Sequence, residues 1–207
     1  MRRTTPFLNM ARTKDQHLHE QRRLQILEAA SQVFKQKGFH AARTEDICAT
    51  AKLSAGTVFR YFASKEDIIS TIAEMEMDGY REQIGQLATA EGLAWMGRLS
   101  ARDLTELLAP SQFDLGADSW LELCRNPKYH DYLIEQDTQL RKNLAVALQN
   151  GQKAGWVRPD LNTKGAANII MALFSGLMFD SQTNPKIDLA ATADAMAGLF
   201  RSYILKN

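Results

Sequence analysis

The sequence predicts an all-α chain, and three observations carry that prediction. Ala and Leu dominate the apolar residues while Val and Ile are sparse, which favours helix over strand. Only five Pro and twelve Gly interrupt 207 residues, so long stretches lack strong breakers. Apolar side chains recur at three- and four-residue spacing, and no alternating run demands a strand. With 45% hydrophobic and 24% charged residues, a packed core is the expectation and disorder is not.

The elements follow in order. Residues 1–16 read as a flexible basic arm. From His17 to Lys37, Leu24, Leu27, Ala30 and Phe34 form a helical stripe that Ile26 and Val33 widen. Lys35 and Lys37 suit the carbonyl end of that helix, and Gly38 stops it. A short second helix is expected from Thr44, with the Thr44 hydroxyl as cap and Glu45 and Asp46 in the first turn. Lys52-Leu53-Ser54 make a tight connection, and Ser54 caps a third helix running to about Phe62. Ser64-Lys65-Glu66-Asp67 places an acid three residues after a cap, which starts a fourth helix over 65–84. Five more helices are expected at 86–109, 113–126, 128–154, 162–181 and 188–205. Pro110, Pro127, Gly155 with Pro159, and Pro185 mark the joints. The total is about nine helices.

Charge is unevenly spread. Residues 1–65 carry twelve Lys or Arg against five Asp or Glu, while residues 66–207 carry thirteen against nineteen. A basic head on an acidic body points to a polyanion partner for the head. Other classes find little support. The sequence holds no HExxH, Walker loop, GxGxxG or nucleophile elbow, and His17, His19, His40 and His130 do not cluster. No catalytic residue, metal site or cofactor is expected. Cys48 and Cys124 lack metal-ligand or CxxC spacing, which fits a reducing compartment, although a redox sensor remains an alternative. No secretory signal is visible, and the most apolar stretch, residues 166–178, is too short to span a bilayer. A cytoplasmic protein is expected.

Two short helices joined by about three residues and braced by a longer one make a helix-turn-helix. The second of the pair has the size to enter the major groove. Leu53, Val58 and Phe62 face inward on it. Ala55, Gly56, Thr57, Phe59, Arg60 and Tyr61 look outward. Ala55 and Gly56 allow close approach, Thr57 offers a hydroxyl and a methyl, and Arg60 is suited to guanine. Tyr61, Lys65, Thr44 and Ser54 are expected to reach phosphates. The expected domains are the arm (1–16), this helix-turn-helix unit (17–64) and a helical body (65–207).

ILEAASQVFKQKGF (26–39) followed by TEDICATAKLSAGTVFRYFASKEDII (44–69) resembles the DNA-binding domain of TetR-family transcriptional regulators. The resemblance covers about residues 22–70, and AGWVRPDLN (154–162) is a further echo. The chain departs from the family pattern at Phe59, often Tyr, and at Lys52, usually Gly. Lys52 is then expected either to carry the backbone cost of a left-handed residue or to offset it at a phosphate. The resemblance implies a homodimer on a palindromic operator, two half-sites about 34 Å or a multiple apart. It implies a dimer surface on the last two helices, with Ile170, Phe174, Leu177 and Met178 beside Gly176, and Met196, Leu199, Phe200 and Tyr203; ordinary core is the alternative. It also implies an effector cavity in the body. Candidates are Trp95, Met96, Phe113, Trp120, Cys124, Tyr132, Met171 and Ser175, which suit a small apolar or amphipathic molecule. The expected function is a ligand-released, DNA-binding regulator, with repression the family's commoner mode. An architectural DNA binder without an effector is the other reading.

Overall fold

The computed structural model describes residues 6–109, 113–184 and 186–206, with side chains throughout except at 6–15, 118 and 128. Residues 1–5 and the joints Pro110 and Pro185 lie outside the described residues. The chain divides into two compact units, Met1–Glu76 with Ser111–Trp120, and Met77–Pro110 with Leu121–Asn207. The division differs from a cut at residue 64: it falls inside a helix, and a later segment returns to the first unit.

In the first unit, α1 spans Pro6–Ala41 and is interrupted at Gly38, whose φ of 72° only glycine adopts without strain. Residues 6–16, expected as part of a flexible arm, are helical instead. Pro6 is tolerated in a first turn, and no breaker follows it before Gly38. Ile26, Leu27, Ala30, Val33 and Phe34 form the buried stripe. α2 (Thr44–Ala51) packs on α1, and α3 (Ala55–Tyr61) packs on α2. Ile47, Ala51, Val58 and Phe62 are buried from these elements. α4 (Lys65–Leu87) adds Ile68, Ile69 and Ile72 to the interior before it leaves the unit after Glu76. Its start is capped as the sequence suggests, with a shifted return bond: Asp67 N–H donates to the Ser64 hydroxyl at 3.1 Å, and Ala63 N–H, not Ser64 N–H, donates to the Asp67 carboxylate at 3.0 Å.

In the second unit the expected helix over 86–109 is two helices, α5 (Ala90–Met96) and α6 (Ala101–Leu107). Local caps cause the split. The Thr89 hydroxyl accepts from Gly92 N–H at 3.0 Å, and Ser100 and Asp103 cap each other. α7 spans Ala117–Arg125, its first turn belonging to the other unit, and α8 spans Pro127–Ala154. Pro127 is the first residue of α8, where its missing N–H costs nothing. α9 (Thr163–Thr183) and α10 (Leu189–Leu199) follow, and a π-turn over Phe200–Ile204 closes the chain. The described residues thus hold ten α-helices.

The core of this unit runs through Leu93, Met96, Leu144, Met171, Phe174 and Phe200. α8 lies against α9, and α6 against α10. The chain end is held by its own backbone. Arg158 N–H donates to Ile204 C=O and Lys206 N–H to Trp156 C=O, each at 3.0 Å. The Arg201 guanidinium reaches Gly97 C=O at 2.6 Å.

Candidate functional site

The α2–α3 pair is built by local chemistry. Arg43 occupies the N-cap of α2, so Thr44 is the first helical residue and not the cap that its hydroxyl suggested. Asp46 does the capping: its carboxylate accepts from Arg43 N–H at 3.1 Å and pairs with Lys37 Nζ at 2.7 Å. The bond to Lys37, then that to Arg43, holds the Asp46 carboxyl below its ordinary range. α2 ends at Lys52, whose φ of 55° and ψ of 41° are left-handed. Leu53 N–H then bonds back to Cys48 C=O at 3.0 Å, closing the turn. A side chain in that conformation costs about 1–2 kcal/mol, and no glycine relieves it here.

α3 begins on Ser54, whose hydroxyl accepts from Thr57 N–H at 3.2 Å and lies 2.9 Å from the Thr57 hydroxyl. Both hydroxyls therefore hold the helix start while facing outward. Val58 and Phe62 are buried beneath, and Ala55, Gly56, Phe59 and Arg60 are exposed. Phe59 leaves 51% of its surface in solvent, high for a ring that the unit's core does not claim. A Cβ placed on Gly56 would meet no atom within 4 Å, so nothing inside the chain requires glycine there. Tyr61 is half-buried, with the Arg60 guanidinium 5.4 Å from its ring centroid and the His19 ring 4.7 Å away. His19, on α1, thus belongs to the same exposed patch, a neighbour that spacing along the sequence does not reveal.

Lys65 is placed differently from its expected role at a phosphate. Its ammonium donates to Phe39 C=O at 2.8 Å and to Ala42 C=O at 3.0 Å, and it lies 4.3 Å from the Phe39 ring centroid. It ties the start of α4 to the corner after α1. Lys52 is exposed.

The expected effector residues divide between the two units. Phe113 is buried in the first unit, and Trp120 belongs there too. The remaining six are in the second unit. Met96 and Met171 are fully buried, Trp95 packs against the core, and Cys124 and Tyr132 are exposed. Ser175 and Met171 meet at a residue that the sequence reading passed over, Tyr80. Its hydroxyl lies 3.9 Å from Met171 Sδ and is hydrogen-bonded to Ser175. Burial raises the Tyr80 phenol above its ordinary range, the Ser175 bond opposing, so it stays a proton donor. Its only sequence signal was an aromatic on the inner side of α4. An open groove of about 480 Å³ lies on α1, lined by Leu18, Gln21, Arg22, Leu24, Gln25 and Glu28, and touches none of these residues.

The residues expected at a dimer surface differ in burial. Ile170, Phe174, Leu177, Met196 and Phe200 are buried in their own unit, and Met178 and Leu199 pack against that core. They leave little area for a partner; Tyr203 is exposed. The outer face of α9 carries Ile169, Ala172, Gly176 and Phe179, at helical spacing and all exposed. Cys48 is half-buried, and desolvation, then the nearby Glu45 charge, raises its thiol, which opposes a reactive thiolate. Among the described residues no three or more His, Cys, Asp or Glu are grouped to hold a metal, and no helix is long and apolar enough to cross a membrane.

Comparison with known proteins places this geometry. Residues 26–72 match the family model for bacterial regulatory proteins of the tetR family, and residues 98–205 match that for the C-terminal part of BetI-type transcriptional repressors. The chain is 30% identical over 183 residues to the HTH-type transcriptional regulator UidR of Escherichia coli K12, covering 86% of this chain and 88% of that one. A TetR transcriptional regulator from Chloroflexus aurantiacus has a similar fold, with a TM-score of 0.71 at 17% identity over 92% of this chain and 100% of that one. The regulator FadR from Bacillus subtilis, solved with stearoyl-CoA, aligns with a TM-score of 0.65 at 24% identity over 87% of this chain and 98% of that one.

Proposed function

The chain belongs to the TetR family of DNA-binding transcriptional regulators, and from that premise we propose that it is a cytoplasmic homodimeric repressor, released from a palindromic operator by a small apolar or amphipathic effector. The observation that carries the reading is the outer face of α3. A capped helix presents Ala55, Gly56, Phe59 and Arg60 to solvent with nothing in its own unit to cover them. Arg60 reads a guanine edge, the small residues at the helix start let the backbone approach the bases, and the Ser54 and Thr57 hydroxyls lie at the phosphates. Lys52 supplies a further cation at the turn, while Phe59 replaces a phosphate contact with apolar contact to a thymine methyl or sugar.

Dimerisation uses the outer face of α9. Its support is the line Ile169, Ala172, Gly176 and Phe179, in which two small residues lie between two large ones and no charge intervenes. Such a face suits a second copy of the same helix. The effector is held in the second unit about Tyr80, Met171 and Ser175, where a phenol and a hydroxyl stand beside an apolar thioether, with the Asp137 and Arg141 charges near the phenol. Release follows from linkage: an effector that prefers the non-binding dimer lowers operator affinity, by about 5–150-fold for a coupling of about 1–3 kcal/mol.

The test is selection of bound duplexes from a random pool, followed by titration of the selected site with candidate effectors. A two-fold symmetric site supports the reading, and bound operator must lower effector affinity by the same factor that effector lowers operator affinity. Binding without enrichment favours an architectural role.

A further inference from the structure

The first unit contains a polar cluster that DNA reading does not use. Segment 113–120 enters this unit from α6 and leaves it along α7. Its seat on α1 is made by backbone as much as by side chains. The Ser31 hydroxyl donates to Asp114 C=O at 2.7 Å and accepts from Asp114 N–H at 3.0 Å. Lys35 Nζ pairs with the buried Asp114 carboxylate at 2.6 Å, and the other carboxylate oxygen accepts from Gly116 N–H at 2.9 Å. Leu115 is fully buried. Its N–H donates to the Glu76 carboxyl of α4 at 3.3 Å, and Trp120 makes a second hydrogen bond to that carboxyl. Ser119 is also fully buried, and its hydroxyl has no hydrogen-bond partner among the described residues, so the seat carries a polar cost.

We propose that Glu76 is a proton-operated latch on this seat: its neutral carboxyl holds segment 113–120 in place, and its ionisation loosens the segment as pH rises. The geometry supplies the reason. Glu76 is half-buried and hydrogen-bonded to the segment, and the charged groups facing it are Asp114 from the segment and Lys35 from α1. Lys35 is already engaged by Asp114, so an ionised Glu76 adds a second negative charge to a site with one cation. Burial, with the Asp114 charge behind it, pushes the Glu76 carboxyl from 4.5 up to about 7, against the opposing hydrogen bond from Trp120.

The sign follows from proton counting. The seated segment keeps the high value, and an unseated segment returns Glu76 to water and to its ordinary value. Between these values the seated state binds more protons, so seating is favoured at low pH and lost as pH climbs to about 7. Linkage puts the gain in unseating at about tenfold between pH 6 and pH 8. Because the segment belongs to the same unit as α2 and α3, unseating loosens that unit with no effector involved.

Amide hydrogen exchange on the full-length protein tests this, read at Leu115 and its neighbours at pH 6 and pH 8 and corrected for intrinsic rates. The wild type is expected to lose about tenfold in protection over that interval, and Glu76→Gln, which keeps the hydrogen-bonding shape without the charge, is expected to lose none. Equal behaviour of the two proteins overturns the proposal. If Glu76→Gln does not fold, carboxyl-resolved carbon-13 NMR titration of the wild type decides. A Glu76 midpoint near 7 supports the latch, and one near the ordinary 4.5 overturns it.

Discussion

Gly56 on α3 and Gly176 on α9 look alike from inside the chain. A Cβ at either would meet no atom within 4 Å, so neither glycine is required by the packing of its own unit. Their surroundings differ. Gly56 stands beside exposed Arg60, in a part of the chain rich in cations. Gly176 stands on an uncharged line between exposed Ile169 and Phe179. A close approach flanked by positive charge suits a nucleic acid, and one flanked by aliphatic and aromatic side chains suits another helix. Two surfaces with the same internal freedom are thus sorted by their neighbours' charge.

Substitutions at these surfaces sharpen or break the distinction. The largest effect is expected from Phe179→Glu, which puts a charge on the apolar α9 face. Analytical ultracentrifugation should show monomers, and operator affinity should fall by about 100-fold or more as two-site binding is lost. A variant that stays dimeric removes α9 from the interface. Arg60→Ala is next. It should cost about 1–3 kcal/mol at one base position of each half-site, with the dimer intact. Lys65→Met should behave as a fold variant. Loss of its two carbonyl bonds should lower stability in urea by about 1–2 kcal/mol while the salt slope of DNA binding stays near the wild-type value. A slope flattened by about one unit would return Lys65 to the phosphates. Smallest in stability are Gly56→Leu and Gly176→Leu, each expected to change it by less than about 1 kcal/mol, since helix propensity improves and nothing clashes. Each should nonetheless lose one partner, DNA for the first and the second subunit for the other.

The sequence made these surfaces legible unevenly, for physical reasons. Ser64 and Asp67 announced the start of α4 because the cap lies within four residues. The inner and outer faces of α3 could be told apart because Val58 and Phe62 alternate with Arg60 and small residues. α9 gave no such contrast. Ile169 and Ile170 are adjacent, as are Leu177, Met178 and Phe179, so a helix apolar on most sides hides which stripe is core: Ile170 and Phe174, expected at a dimer surface, are buried in their own unit, while Ile169 and Phe179 are exposed. The two carbonyl bonds of Lys65 were not legible because its partners, Phe39 and Ala42, lie 26 and 23 residues away. Segment 113–116 was unreadable for a stronger form of the same reason: Ser31 and Asp114 are 83 residues apart, and no periodicity reports that Phe113 and Trp120 serve the DNA-binding unit. Ser100 and Asp103 were readable as a cap and were passed over beneath a continuous apolar pattern.

The central claim is that the exposed edge of α3 reads bases. It is tested most directly by selecting bound duplexes from a random pool with the wild type and with Arg60→Ala, side by side. The wild type should select a two-fold symmetric site, and the variant should lose preference at one matched position per half-site. Unchanged preference in the variant, or no enrichment by either protein, would contradict it.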